Sequence, residues 1–245
     1  VRLDGQRPWD LHLLGEGVPE RILAHGNLGL GETYMDGLWT CQHLDQLFDR
    51  LLRADMASRV RSLSTAWHHL RARWLNLQTE PRAWQVGQQH YDLGNAFYAA
   101  MLDRRMTYTC ALWEGARDLD EAQENKLELV CQKLGLQPGM QVLDIGCGWG
   151  SFMKYAAERH GVRCTGVTIS AEQAALGRTL CEGLPIEFRL MDYRGLSERI
   201  DRGVSLGMFE HVGQKNYDAY MAVAQRCLAP DGLFLLHTIG RNEPG

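Results

Sequence analysis

Residues Val142–Gly150 read V-L-D-I-G-C-G-W-G, and no other stretch of the 245-residue chain restricts its fold as much. Val142, Leu143 and Ile145 supply the apolar, β-branched-rich run of a buried strand. Asp144 lies inside that run, where a carboxylate is costly without a partner. Gly146, Gly148 and Gly150 then alternate with Cys147 and Trp149 before a helical pattern begins at Ser151. Glycine lets a ligand approach the backbone closely and permits positive φ. Strand, glycine loop and helix start, in that order, form the layout of a nucleotide-type cofactor site.

Strands and helices alternate from there on. Strands are predicted at Val142–Gly146, Val162–Ile169, Ile186–Asp192, Val204–Phe209 and Leu233–Ile239, with helices at Ser151–His160, Ala171–Cys181 and Asn216–Cys227. This alternation predicts an α/β fold with a parallel sheet covered on both faces. Ligands of such sheets bind beyond the carboxyl ends of the strands. That rule gathers Gly146–Gly150, Thr168–Gln173, Asp192–Tyr193, Phe209–His211 and His237 on one rim.

The first part of the chain has a different texture. It reads as a small, mainly helical domain over 1–78, a linker over 79–89 containing Pro81, and a larger domain over 90–245. Gly26–Gly37 predicts loops and turns around short elements. Leu44, Leu47, Phe48, Leu51 and Leu52 recur at helical spacing, and Val60 to Trp74 continue it in a second helix. That second helix, with Trp67, Trp74 and its arginines, suits a packed interface or an anionic lipid surface. Asn95 or Asp92 is expected to cap a short helix. The aromatics clustered over Met106–Gly115 are expected as a lid or as core, and a helix over Leu119–Leu134 leads through Pro138-Gly139 into the first strand.

Composition narrows the function classes. Hydrophobic content of 45%, charged content of 23% and a net charge of −4 describe a soluble globular protein without the charge for general nucleic-acid binding. The first residues hold no long apolar run, so neither a signal peptide nor a membrane span is expected. Seven cysteines without a CxxC pair argue against a zinc site or disulfide scaffold, and no metal is expected. Reduced core thiols in a cytoplasmic protein are the simplest account.

A nicotinamide fingerprint requires G-x-G-x-x-G and a carboxylate closing the second strand. Here position 151 is Ser, and the strand closes with Thr168-Ile169-Ser170. Asp-x-Gly-x-Gly after the first strand instead resembles motif I of Rossmann-like S-adenosylmethionine-dependent methyltransferases.

GNLGLGETYMDGLW (Gly26–Trp39), HYDLGN (His90–Asn95), YTCALW (Tyr108–Trp113), LDIGCGWG (Leu143–Gly150), GVTIS (Gly166–Ser170), GMFEHVG (Gly207–Gly213) and HTIG (His237–Gly240) together extend this resemblance along almost the whole chain. The chain resembles the bacterial cyclopropane-fatty-acyl-phospholipid synthases and is similar to the mycolic acid cyclopropane synthases. The resemblance implies that the methyl carbon of S-adenosylmethionine is added across the cis double bond of an unsaturated phospholipid acyl chain. It implies a bound bicarbonate as base, held by Cys110, Glu210 and His237, with a tyrosine and an asparagine in a C-terminal region absent from these 245 residues. His211 is expected to be structural or to support the site residues from behind. For the cofactor it implies Tyr108, Thr109, Asp144, Gly146, Cys147, Gly148, Trp149, Gly150, Thr168, Ile169, Ser170, Gln173, Asp192 and Tyr193.

Within that set, Asp144 is expected to fix the glycine loop through backbone N–H groups. Gln173 would meet the ribose or methionine groups, Asp192 the adenine amino group, and Tyr108 and Trp149 the sulfonium through cation–π attraction. The expected setting is the inner membrane face, with a homodimer possible. This stretch of chain is expected to bind cofactor but cyclopropanate poorly, because the last two strands of the fold would be missing. The competing readings are an N-methyltransferase of a small amine and a non-catalytic cofactor- or lipid-binding module.

Overall fold

A computed structural model describes residues 1–54 and 94–240. The chain divides into two compact units, Val1–Asn76 and Leu77–Gly245. The helix expected over Val60–Trp74, the 79–89 linker, Asp92 and most of HYDLGN lie outside the described residues.

In the first unit the described elements are β1 (His12–Leu13), α1 (Val18–His25), α2 (Asn27–Met35), β2 (Trp39–Thr40) and α3 (Leu44–Arg53). β1 and β2 pair antiparallel, Leu13 opposite Trp39. The glycine-rich stretch expected as loops is mostly α2, and the reason is close packing. A Cβ on Gly29 would stand 2.2 Å from the Arg21 carbonyl of α1, so only glycine allows the two helices to meet there. Val18, Leu30, Trp39 and Leu47 form the core, and the Trp39 indole donates to the Leu30 carbonyl at 3.1 Å. Only part of the α3 stripe is buried: Leu47 is inside, whereas Phe48 and Leu52 are exposed. Asp10 is enclosed, and the Arg7 guanidinium bonded to it holds its carboxyl down at about 2.

The second unit contains α4 (Asn95–Met101), α5 (Leu119–Leu134), β3 (Gln141–Ile145), α6 (Ser151–His160), β4 (Arg163–Thr168), α7 (Ala171–Leu180), β5 (Ile186–Leu190), β6 (Ile200–Leu206), α8 (Tyr217–Cys227) and β7 (Leu228–His237). The strands form one sheet in the order β5-β4-β3-β6-β7, all parallel. The expected α/β architecture is present, with two corrections at strand ends. β6 stops at Leu206, because Gly207 turns the chain at φ 69°, and Phe209–His211 forms a 3₁₀ turn rather than strand. β7 starts at Leu228, with an irregular register against β6 between Leu228 and Leu233, where Pro230 has no N–H to donate.

Each face of the sheet buries its own core. Val142 packs with Leu127 and Val130 of α5 and Phe152 of α6, whereas Leu143 and Ile145 pack with Tyr220 and Val223 of α8. Side chains of a strand alternate between faces. Asp144 is therefore delivered to the face that α5 covers. Six cysteines are buried and Cys110 is exposed, in line with the expected core thiols.

Candidate active site

β3 and β6 are neighbours in the sheet but not in sequence, and this is the switch point at which parallel α/β sheets open a crevice. The glycine loop follows β3 at that point. Gly146, Gly148 and Gly150 take φ values of 85°, 54° and 85°. A Cβ on Gly146 would lie 2.6 Å from the Met208 side chain, and one on Gly150 2.5 Å from the Phe188 ring. Around Gly148 a Cβ would meet nothing, so its backbone faces open space in the cleft. The amides of Gly146 and Cys147 both donate to the Val167 carbonyl, at 3.0 and 3.1 Å.

Asp144 therefore does not act by fixing the loop. The first two loop amides are held by β4 and that of Gly150 by the Cys147 carbonyl, and Asp144 Oδ1 is buried without a hydrogen-bond partner while the residue lines the cleft. Burial pushes its carboxyl up to about 7, opposed by the nearby Lys126 ammonium. Lys126 comes from α5 and is itself buried, with its Nζ 2.8 Å from Thr109 Oγ1. Burial pulls its ammonium down to about 8, opposed by Cys110, Asp103 and Asp144.

One turn earlier on α5, Gln123 donates to the carbonyls of Thr107 (3.3 Å) and Thr109 (2.8 Å). Asp103 accepts from the Thr107 amide at 2.6 Å. Met106 and Thr107 are buried and Tyr108 is exposed, so the aromatic stretch is half core and half roof. Tyr108 packs edge-on against Tyr98, which also packs on Trp149. Asn95 does not cap α4, whose N-cap is Gly94; its Oδ1 accepts instead from Trp149 Nε1 at 2.8 Å. Trp149 is thus buried between the glycine loop and α4.

On the β4–β5 side, the Thr168 hydroxyl donates to Gln173 Oε1 at 3.1 Å, and the Ser170 hydroxyl caps the Gln173 amide. Gln173 reaches the cleft; Ile169, half-buried behind β4, does not line it. Asp192 receives Arg194 through both oxygens, at 2.9 and 2.8 Å, so its carboxylate is already engaged. Tyr193 is placed differently from the expectation: its ring is in the α8-side core against Tyr220.

On the β6–β7 side, Cys110 Sγ lies 3.3 Å from His237 Nε2. The Thr238 hydroxyl donates to Glu210 at 2.9 Å. Gly207 donates its amide to the His237 carbonyl, and a Cβ on it would meet the Thr109 methyl at 2.5 Å. His237 Nδ1 is buried without a partner, and burial lowers the imidazole's pKa. Cys110, Glu210 and His237 thus form one rim, and the cleft of Thr109, Lys126, Asp144 and Gln173 lies beside it. Lys126 and Gln123 escaped sequence reading, although a signal existed: both fall on the α5 face that buries Ala122, Leu127 and Val130. Polar groups on a buried face require partners.

The described residues contain no cluster suited to a metal ion and no helix long and apolar enough to cross a membrane. The family described as mycolic acid cyclopropane synthetase matches residues 78–245. The cyclopropane-fatty-acyl-phospholipid synthase of Escherichia coli is 49% identical over 99% of this chain, which spans 64% of that protein's length. The crystal structure of mycolic acid cyclopropane synthase CmaA1 complexed with SAH and CTAB aligns with a TM-score of 0.60 at 41% identity, covering 62% of this chain and 55% of that one. Coclaurine N-methyltransferase, bound to N-methylheliamine and SAH, aligns at 0.64 and 25% identity over 78% of this chain and 59% of that one. The chain belongs to the mycolic acid cyclopropane synthetase family.

Proposed function

We propose that this chain binds S-adenosylmethionine in the cleft at the β3/β6 switch point and serves the cyclopropanation of unsaturated phospholipid acyl chains. One observation carries the reading: an unpartnered buried Asp144 oxygen and an open glycine backbone stand beside a rim that joins Cys110, His237 and Glu210. A nucleoside with a cationic amino-acid tail fits such a cleft, since Asp144 is its one acidic lining residue and lacks a partner for that oxygen. When bound, S-adenosylmethionine supplies an electrophilic methyl group, and a bicarbonate on the rim supplies a base.

Glycine backbone, Gln173 and the Tyr108 roof would hold the donor still, because an alkene is a weak nucleophile and needs close alignment. Held there, the cofactor would supply its methyl carbon to the alkene, with the electron pair of the broken carbon–sulfur bond accommodated on sulfur. Ring closure would then require a proton to leave the added carbon, and the site has to provide for its removal while excluding water. Cys110, Glu210 and the His237 imidazole would position the base for that proton, with the unpartnered Nδ1 as a contact point. The encounter is proposed at the inner membrane face, as a peripheral contact, and a homodimer is compatible with it.

The test offers labelled S-adenosylmethionine to unsaturated and saturated phospholipid vesicles. Label in the unsaturated lipid only is expected. Equal labelling of both overturns the reading. Labelling of amine acceptors alone would favour the N-methyltransferase alternative, to which the likeness to coclaurine N-methyltransferase lends support.

A further inference from the structure

Lys126 is a buried cation at a site where the chemistry above gives it nothing to do. It is the one basic residue among the described residues lining the cleft, and Asp144 is the one acidic residue. The two are not ion-paired. Lys126 Nζ makes a single hydrogen bond, to Thr109 Oγ1, although an ammonium carries three donors. The Thr109 hydroxyl that accepts this bond keeps its own proton to donate. Ammonium and hydroxyl thus form a pair of adjacent donors at the end of the cleft next to Gly207, which follows β6 at the switch point in strand order. Burying an ammonium with one neutral acceptor is expensive unless an anion completes it.

We propose that Lys126, together with the Thr109 hydroxyl, receives the α-carboxylate of the amino-acid end of the cofactor, while Asp144 receives its cationic end. The assignment rests on the cofactor reading above. A zwitterionic tail has one anion and one cation to match, and the cleft lining offers one partner of each sign. The same contact would hold the Thr107–Cys110 segment closed on a bound ligand. That segment is already tied to α5 by Gln123, so its position does not depend on Lys126 alone.

The experiment is calorimetric titration of the chain and its variants with three ligands. These are S-adenosylhomocysteine, its decarboxylated analogue, and methylthioadenosine, which lacks the amino-acid end. Lys126→Met should weaken S-adenosylhomocysteine about 10-fold or more, the worth of a charge-assisted hydrogen bond, and the other two less than about 3-fold. Lys126→Arg should restore part of the loss, and Thr109→Val should weaken the same ligand selectively. Equal weakening of all three ligands would make Lys126 a packing residue and overturn the proposal, as would unchanged affinity for S-adenosylhomocysteine. If the unaltered chain binds none of the three, the cofactor reading fails and this assignment with it. Should Lys126→Met not fold, Lys126→Gln removes the charge while keeping a donor, and its binding is judged by the same outcomes.

Discussion

On the β4–β5 side of the cleft, polar side chains find their partners close by in sequence. Thr168 meets Gln173 five residues away, and Asp192 meets Arg194 two residues away. On the β6–β7 side, Cys110 reaches His237 across 127 positions, and Lys126 reaches Thr109 across 17. The first side is a local turn repeated after successive strands, which any chain with those residues would form once the sheet exists. The second exists only because α5, the 106–110 segment and the ends of β6 and β7 converge. The polar contacts on the β4–β5 side are therefore written in short motifs, whereas the Cys110–His237 rim and the Lys126–Thr109 pair are products of tertiary assembly.

Glu210 is where the difference between the two sides should show most strongly. Glu210→Gln keeps the size and the Thr238 contact but removes the charge. Turnover on unsaturated vesicles should fall about 100-fold or more, with S-adenosylhomocysteine affinity held within about 2-fold. Near-normal turnover would take Glu210 out of the reaction and leave the two sides alike.

Asp144 tests the cleft through stability. Its folded carboxyl titrates at about 7, above its ordinary value of 3.8, because burial disfavours the charge. Between those values the folded state retains a proton that the unfolded chain has lost. Stability of the ligand-free chain should therefore fall as pH rises from about 4 to 7, by a few kcal/mol at the upper end. Asp144→Asn should flatten that slope in denaturant titrations. A slope unchanged by the substitution would mean that Asp144 does not carry it.

Gly150→Ala addresses the loop itself. The residue stands at φ 85° with the Phe188 ring 2.5 Å from any Cβ, so strain and overlap should cost about 2 kcal/mol. Urea unfolding reads this directly, and a neutral result would show that Phe188 has room to move. The smallest effect is expected at Thr238→Val, which removes the hydroxyl bonded to Glu210. A loss of about 1 kcal/mol, or roughly 5-fold in kcat/KM, is expected with cofactor affinity unchanged.

Sequence alone determined the strand order of chemistry along the chain. The apolar run at Val142–Ile145, the alternation after it and the glycines at 146, 148 and 150 specify a parallel α/β sheet with a ligand loop, because local periodicity and permitted φ depend on neighbours in sequence. The same local reading mistook α2 for loops, since glycine also serves close helix packing, and extended β6 past Gly207 into the turn that carries Glu210. Side-chain direction was beyond it. Tyr193 faces the core, Asp192 is already held by Arg194, and Asn95 serves Trp149 rather than a helix end. Only the tertiary structure brought Lys126 and Asp144 to one cleft and set Cys110 against His237. Burial and long-range contact decide which polar groups lack partners, and those are properties of the packed chain rather than of any segment of it.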